Sequence, residues 1–279
     1  MLKRLFNFFI FSSFYIALCA VVMVYQLQLL FPQVNITLPL YFFIFFSTVC
    51  SYNFHWWLSQ HSDNGSGRLQ WTLRYKPLHL VLYFIGLIGA VIGFFMLRQH
   101  WFWIGLGAFV TFLYSAPKIP CKIFIDLRRI AIGKTIFLAF VWMYVTTVLP
   151  LLVTGNPWQA GFTWLALSRF FLIYAICILF DYRDREDDKA AGIRSMITVL
   201  HERGINRLFV LSILLFTLFT ACMSTSGSSW AVIGILLVPG VTVAALYNYA
   251  RKHFSDYLYY FVLDGLMMLS GLLMFLLYI

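Results

Sequence analysis

Negative charge is scarce in this sequence, and half of it falls within one short segment. Of the ten Asp and Glu residues, five lie in LFDYRDREDDKAAGIRS, residues 179–195. Asp181, Asp184 and Asp188 have the spacing i, i+3 and i+7, which places three carboxylates on one face of a helix. Such a face is unfavourable by itself because like charges repel, whereas Mg²⁺ joins carboxylate oxygens to substrate phosphates. The spacing therefore favours a cation site, and a solvated acidic helix end is the alternative.

The rest of the chain has the composition of an integral membrane protein. Hydrophobic residues account for 62% of the chain and charged residues for 11%, whereas a soluble domain carries roughly 25% charged residues. A membrane-spanning helix needs about 20 predominantly apolar residues, and we count nine apolar segments of suitable length. They lie approximately at 5–30, 37–58, 78–97, 101–117, 132–153, 161–180, 207–224, 229–250 and 257–279. The sequence therefore predicts an all-α integral membrane protein with nine transmembrane helices.

The distribution of basic residues predicts how these helices are oriented. A cytoplasmic N-terminus places eighteen of the twenty Lys and Arg residues on the cytoplasmic side, with Arg98 outside and Arg169 within a span. We therefore interpret the net charge of +10 as an orientation signal and expect no nucleic-acid partner. The C-terminus is predicted outside, and the aspartates lie at the cytoplasmic end of the sixth span. A compact chain without an organelle-targeting extension favours the bacterial inner membrane.

A second polar pattern is predicted at the same membrane level. The fourth span ends in FLYSAPKIPCK, where Tyr114 and Lys118 are spaced i, i+4. By themselves they would be interpreted as an interfacial anchor and an orientation signal. Together with the aspartates, and with Lys189 and Arg194 just beyond them, they indicate an anionic ligand that accompanies the cation.

These two segments resemble the UbiA-type intramembrane prenyltransferases, the family of 4-hydroxybenzoate polyprenyltransferase. LFDYRDREDDKAAGIRSMITVL is similar to the family's second aspartate motif, and YSAPKIPCK is similar to its YSxPP…K element. The nine-span count also matches, so the resemblance covers one domain, residues 1–279. It implies a bundle around a central cavity and Mg²⁺-dependent transfer of a prenyl group from its diphosphate to a lipophilic, often aromatic acceptor, as in quinone biosynthesis.

The resemblance also implies roles for individual residues. Asp181, Asp184 and Asp188 are the expected metal ligands, and they are expected to be catalytic together with Tyr114 and Lys118. The residues expected to bind the diphosphate are Lys118, Lys189, Arg194, Arg68 and Asn53.

The family's first aspartate motif, NDxxDxxxD, is degenerate in this chain. Asn53 matches its leading residue, but the three aspartate positions hold Phe54, Trp57 and His61. Phe and Trp have no oxygen ligand for a metal, and imidazole suits softer metals than Mg²⁺. We therefore expect one Mg²⁺ ion rather than two, with basic residues compensating for the lost metal.

A weak internal repeat is also visible. Tyr247 and Arg251, at the end of the eighth span, echo the spacing of the earlier Tyr-Lys pair. This suggests two four-helix halves, approximately 5–117 and 132–252, followed by a ninth helix at 257–279. In that arrangement Arg251 would be another cation at the mouth of the cavity.

The leading functional hypothesis is a membrane prenyltransferase, and two other functions remain open. A non-catalytic family member that binds an isoprenoid or a partner protein is favoured by the loss of the first aspartate motif. A small transporter is favoured only by two intramembrane charges, Arg169 and Asp264, which are expected to face a cavity. The transporter hypothesis leaves the aspartate face unexplained.

Overall fold

The computed structural model describes residues 1–59, 66–116, 133–190, 192 and 195–278, and these ranges are helical with short connections and no strands. The helices are α1 (Leu2–Phe11), α2 (Phe14–Leu30), α3 (Leu38–Trp57), α4 (Gly67–Arg74), α5 (Lys76–Met96), α6 (Trp101–Ser115), α7 (Lys134–Val153), α8 (Ala160–Arg183), α9 (Arg185–Ala190), α10 (Met196–Val199), α11 (Glu202–Cys222), α12 (Trp230–Ala250) and α13 (Leu258–Leu263 continued by Asp264–Tyr278). The first part of α13 is π-helical, as is Tyr144–Val148 within α7.

The described ranges contain six helices that are long and apolar enough to cross a membrane, namely α5, α7, α8, α11, α12 and α13. Counting the bent pair α1 and α2 as one span gives seven. The predicted second and fourth spans coincide with α3, which has 20 residues, and α6, which has 15. The prediction of an all-helical, multi-pass membrane protein is confirmed, while the count of nine spans and the orientation stay predictions.

The first apolar segment, 5–30, is not one straight helix. Ser13 has φ of 73°, a left-handed conformation that interrupts the helix, and α1 and α2 meet there at 59°. The break frees the carbonyl of Ser12, which accepts a hydrogen bond of 3.0 Å from Nδ2 of Asn53. A side chain of α3 thus satisfies a backbone group that a membrane interior would otherwise leave unpaired.

Close packing of α3 against α5 depends on glycines. A Cβ atom on Gly86 would lie 2.5 Å from the backbone nitrogen of Cys50, a distance that no side chain could occupy. Small residues in membrane helices allow backbones to approach this closely. This packing determines which side of α3 faces α5 and which side remains available to the interior of the bundle.

Helix α8 is the most enclosed of the candidate spans, with 72% of its apolar window buried. It packs against α7 on one side and α11 on the other. Apolar residues of the outer helices remain exposed and suit lipid contact, as on α5 and α11. Because α8 packs against both of these helices, the backbone of Asp181 in its last turn is well supported.

Arg169 of α8 is buried, with 5% of its surface exposed, and does not reach outward to the membrane surface. Its guanidinium donates hydrogen bonds to the Thr146 carbonyl at 2.9 Å and to Oγ1 of Thr147 at 2.9 Å. On the other side it donates to the Met23 carbonyl and to Oε1 of Gln26. The π-helical turn of α7 supplies two of these acceptors, so Arg169 joins α8 to α7 and α2.

Candidate functional site

The start of α7 meets two of the three predicted metal ligands. Asp181, in the last turn of α8, is buried, and Oγ1 of Thr135 donates a hydrogen bond to its Oδ2. Next to Thr135, the Nζ atom of Lys134 lies 3.8 Å from Oδ2 of Asp188, which belongs to α9. Consecutive residues of α7 therefore contact Asp181 and Asp188, and bring these two carboxylates to one place.

Asp184 lies at a break in the helix and has a different partner. α8 ends at Arg183 and α9 begins at Arg185, so the expected single helix through the motif is corrected to two segments. Nε and Nη2 of Arg183 donate to the two carboxylate oxygens of Asp184, at 2.7 and 3.2 Å. Adjacent side chains point about 100° apart on a regular helix, and the break lets these two meet.

Tyr114 lies at the same end of the bundle. Its ring stacks on that of His55, with centroids 5.3 Å apart, and it is close enough to Lys134 and Asp181 to interact with both electrostatically. The structure thus brings Tyr114 together with the aspartate motif, as the sequence predicted. Lys118, the other half of the pattern, lies outside the described residues.

The aromatic residues of the degenerate first motif pack against each other and against α5. The Phe54 ring stacks on that of Trp57, with centroids 6.4 Å apart, and lies tilted against the ring of Tyr83 of α5 at 5.3 Å, so Phe54 packs between α3 and α5. His61 and the nearby Asp63 lie outside the described residues. The predicted loss of carboxylates at positions 54 and 57 is therefore accompanied by a packing role for the replacements.

Asn53 is buried, and its amide bonds within the bundle. Besides the Ser12 carbonyl, Nδ2 donates to the carbonyl of Val49 at 2.8 Å, and Oδ1 lies 2.7 Å from Nδ1 of His79. Its predicted contact with a diphosphate stays a prediction. In this arrangement its amide joins α3 to α1 and α5.

Arg68 of α4 is a predicted diphosphate ligand, and its guanidinium is buried against aromatic rings. Its exposed fraction is 3%, and its guanidinium lies 4.2 Å from the ring centroid of Trp56 and 4.3 Å from that of Tyr260. Within the described residues its buried Nε has no hydrogen-bond partner. Burial lowers the pKa of this guanidinium, yet arginine stays protonated in proteins, so Arg68 is a desolvated cation.

Arg183 flanks the same aromatic ring. Its guanidinium carbon lies 5.0 Å from the ring centroid of Tyr260, and Nη2 donates to the Tyr260 hydroxyl at 2.9 Å. Its buried Nη1 also has no hydrogen-bond partner in the described part of the chain. Asp264, the intramembrane acid of α13, interacts electrostatically with Arg68 and Arg183. These two guanidinium groups, each with an N–H group that has no partner in the described residues, can bind an oxyanion by donating hydrogen bonds to it.

Sequence reasoning missed Lys134, Thr135, Arg183 and Tyr260. Arg183 had a local signal, because it lies inside the aspartate motif and next to Asp184. Lys134 was counted as an orientation signal, and nothing in the sequence distinguishes it from the other basic residues at span ends. Thr135 and Tyr260 are ordinary residues of apolar segments and carried no signal.

Lys189 is turned toward an exposed neighbour. Its Nζ donates to Oε1 of Glu186 at 2.8 Å, and this hydrogen bond lowers the pKa of Glu186. Asp187 is also exposed, as expected for an acid off the common face. Arg194 lies outside the described residues. The predicted roles of Lys189 and Arg194 in diphosphate binding stay predictions.

Arg251, the predicted cation of the internal repeat, belongs to a polar cluster that we call the Glu202 cluster, formed by Tyr182, Arg185, Glu202 and Arg251. Glu202 accepts hydrogen bonds from Arg185 and from Arg251, and Nη2 of Arg251 also donates to the Tyr182 hydroxyl at 3.1 Å. Arg185 further donates to the carbonyl of Leu200 at 2.9 Å. The cluster therefore ties the aspartate motif to the ends of α11 and α12.

Replacing Glu202 with glutamine is expected to lower the free energy of unfolding by about 1 kcal/mol, because the side chain of Glu202 is half exposed and water screens its ion pairs. Thermal denaturation in detergent measures the change. The matched control is Glu186→Gln, an exposed acid with one i,i+3 lysine partner, for which we expect almost no change. If Glu202→Gln and Arg251→Gln lower stability additively, the two residues are not coupled in the cluster.

The comparison with known families decides the identity of this fold. The sequence model of the UbiA prenyltransferase family matches residues 72–263, more than half of the chain. The chain belongs to the UbiA prenyltransferase family. The matched segment includes the motif from Asp181 to Asp188 and begins after α3, which carries the degenerate first motif. Neither the curated proteins nor the solved structures give a significant match.

UbiA family membership implies a membrane prenyltransferase activity in the broad sense, with a prenyl diphosphate and a lipophilic acceptor as substrates. The donor set at the second aspartate motif is chemically suited to Mg²⁺, since carboxylate oxygens are its preferred ligands. Asp181 and Asp188 share one neighbourhood, but Asp184 is engaged by Arg183. Among the described residues, no three His, Cys, Asp or Glu side chains are grouped to hold a metal ion. Asp181 and Asp188 could hold an ion only together with ligands from elsewhere, and the single Mg²⁺ ion stays a prediction.

Proposed function

We propose that this UbiA-family protein transfers a prenyl group from a prenyl diphosphate to a lipophilic acceptor, such as an aromatic quinone precursor. The observation that supports this best is the meeting of Asp181 and Asp188 at the start of α7, at the end of the most enclosed helix. The proposal includes nine spans with a cytoplasmic N-terminus in a bacterial inner membrane. The diphosphate then binds at the cytoplasmic end of the bundle.

Asp181 and Asp188 would hold one Mg²⁺ ion, and Asp184 would join them if it left Arg183. When bound, the ion neutralises negative charge on the diphosphate leaving group. The chain's own donors serve the same end, because Arg68 and Arg183 offer buried N–H groups without partners in the described residues. Guanidinium groups suit phosphate oxygens well, since their planar fork of donors matches them geometrically.

Aromatic rings lie beside the guanidinium groups of Arg68 and Arg183. When the bond between the prenyl carbon and the diphosphate oxygen breaks, the diphosphate leaves with the electron pair and an allylic cation remains. The rings of Trp56 and Tyr260 already lie against the guanidinium of Arg68 and can stabilise positive charge through their faces. An electron-rich acceptor carbon then forms the new bond and loses its proton. In this proposal, Tyr114 helps to position the diphosphate.

A non-catalytic UbiA-like protein is the second candidate, and one observation favours it. Phe54 packs against Tyr83 of α5 and against Trp57, so no carboxylate of α3 replaces the missing metal ligands at these positions. Such a protein would keep the fold and bind an isoprenoid or a partner protein without releasing diphosphate.

Purified protein mixed with radiolabelled prenyl diphosphates, Mg²⁺ and a quinone-type acceptor is expected to release diphosphate and form a prenylated product. Chelation of the metal should reduce release to background, because the leaving group then carries its full charge. Heat-inactivated protein and reactions without acceptor are the controls. Saturable binding of prenyl diphosphate without release, at every chain length, would favour the non-catalytic candidate.

A further inference from the structure

Lys134 lies beside the predicted metal ligands. Its Nζ atom is 3.8 Å from Oδ2 of Asp188. It also interacts electrostatically with Asp181, Asp184 and Tyr114, so its positive charge acts on all three carboxylates of the motif. The side chain of Asp188 is only 14% exposed, whereas that of Lys134 is 36% exposed. The lysine therefore reaches from the partly open side toward carboxylates that are mostly enclosed.

Among the residues that the structure describes, the charges nearest the motif almost balance without a metal. Asp181, Asp184 and Asp188 contribute three negative charges, while Lys134 and Arg183 contribute two positive charges. The sum of −3 and +2 leaves a net charge of −1. A divalent cation entering alone would therefore leave the site positive, and it would compete with an ammonium already near the same carboxylates. A cation that arrives with a diphosphate brings the negative charge that offsets it.

We propose that Lys134 is the resident counter-cation of the aspartate motif, so that a divalent cation binds firmly only together with a diphosphate. The diphosphate takes over the Lys134 ammonium, and Asp181 and Asp188 become available to the metal. This inference rests on the proposed function, because it specifies how the same site is loaded. Lys134 is thus both a competitor of the free metal and a ligand of the diphosphate.

The tethering of Lys134 allows this exchange. Thr135, its neighbour, is fixed to Asp181 by a hydrogen bond, so the backbone of Lys134 stays beside the motif while its side chain can turn. Lysine suits this part because its ammonium is a compact point charge on a flexible stem. The bound diphosphate then raises the affinity for the metal, and the bound metal must raise the affinity for the diphosphate by the same factor.

Mn²⁺ is the probe for the test, with its free concentration followed by electron paramagnetic resonance in the presence and absence of inorganic pyrophosphate. For the wild-type protein we expect weak Mn²⁺ binding that pyrophosphate strengthens by about tenfold or more at matched free Mn²⁺. For Lys134→Met we expect Mn²⁺ alone to bind about tenfold more tightly than to the wild type, since a nearby positive charge is removed. The same variant should bind pyrophosphate more weakly.

Lys134→Arg keeps the positive charge and should behave like the wild type, which separates an effect of charge from one of shape. Lys252→Met removes a charge from an exposed lysine just after α12 and should leave Mn²⁺ binding unchanged. Unchanged Mn²⁺ affinity in Lys134→Met would overturn the proposal. Micromolar binding of Mn²⁺ alone to the wild type would also overturn it, even if that variant does not fold.

The binding measurement involves no prenyl substrate and no turnover, so its result is independent of the diphosphate-release assay. If the protein releases no diphosphate but shows the Mn²⁺ shift, the proposed role of Lys134 stands and the proposed transferase activity is wrong. If the protein releases diphosphate without any Mn²⁺ shift, the proposed activity stands and the proposed role of Lys134 is wrong.

Discussion

Replacing Asp181 with asparagine is expected to slow diphosphate release by about 10²- to 10³-fold, the usual effect of removing one preorganised electrostatic group from a buried site. Asp181 is buried at the end of α8 and accepts a hydrogen bond from Thr135. Asparagine has nearly the same shape, and its amide oxygen can still accept that hydrogen bond. The substitution therefore removes the charge while leaving the backbone of the site in place.

The matched control is Asp187→Asn, the same substitution six residues further along the chain. Asp187 is exposed and lies off the face shared by the three predicted ligands, so diphosphate release should stay within about twofold of wild type, as for most surface substitutions. Asp188→Asn should resemble Asp181→Asn, because both carboxylates face the start of α7. If Asp181→Asn and Asp187→Asn release diphosphate at similar rates, Asp181 is not a metal ligand.

Replacing Arg169 with leucine is expected to destabilise the protein by about 3–5 kcal/mol, because several buried acceptors lose their charged hydrogen-bond donor at once. The guanidinium donates to four acceptors, two on α7 and two on α2. Leucine would leave Gln26 and three other oxygen acceptors inside the bundle without this donor. Each unsatisfied buried acceptor costs about 1–3 kcal/mol, and rearrangement or a trapped water recovers part of that cost.

Thermal denaturation in detergent or lipid discs measures this loss. The control is Arg98→Leu, since Arg98 is exposed in the short turn between α5 and α6. Arg169→Lys should fall between wild type and Arg169→Leu, because an ammonium keeps the charge but cannot reach both sides as a planar fork does. An unfolding temperature of Arg169→Leu equal to that of Arg98→Leu would contradict the structural role of Arg169.

Several features were predictable because they depend on composition or on short-range spacing. Hydropathy alone indicated a helical membrane protein, and the long helices of the described ranges coincide with the apolar segments. The spacing of Asp181, Asp184 and Asp188 indicated a site, and the surrounding residues indicated the UbiA family, which the match over residues 72–263 confirms. Such features need no knowledge of how the helices are rotated against each other.

The bend at Ser13 and the break at Asp184 were not predictable in the same way. Hydropathy marks neither position as a break in a helix, and each break has a specific hydrogen-bonding partner. Asn53 of α3 bonds the carbonyl freed next to Ser13, and Arg183 pairs with Asp184 where the helix turns. Neither pairing could be deduced from the sequence, because each depends on the three-dimensional arrangement of the chain.

The sequence by itself determined the class of protein, its family and the location of one acidic motif, because hydrophobic patterning and local spacing are written along the chain. Only the tertiary structure decided what surrounds that motif. It placed Lys134 beside Asp188, Thr135 beside Asp181, and Arg68 with Arg183 on Tyr260. These contacts join residues from different helices, and each depends on helix rotation and depth, which an apolar segment in a membrane leaves unspecified until the helices pack.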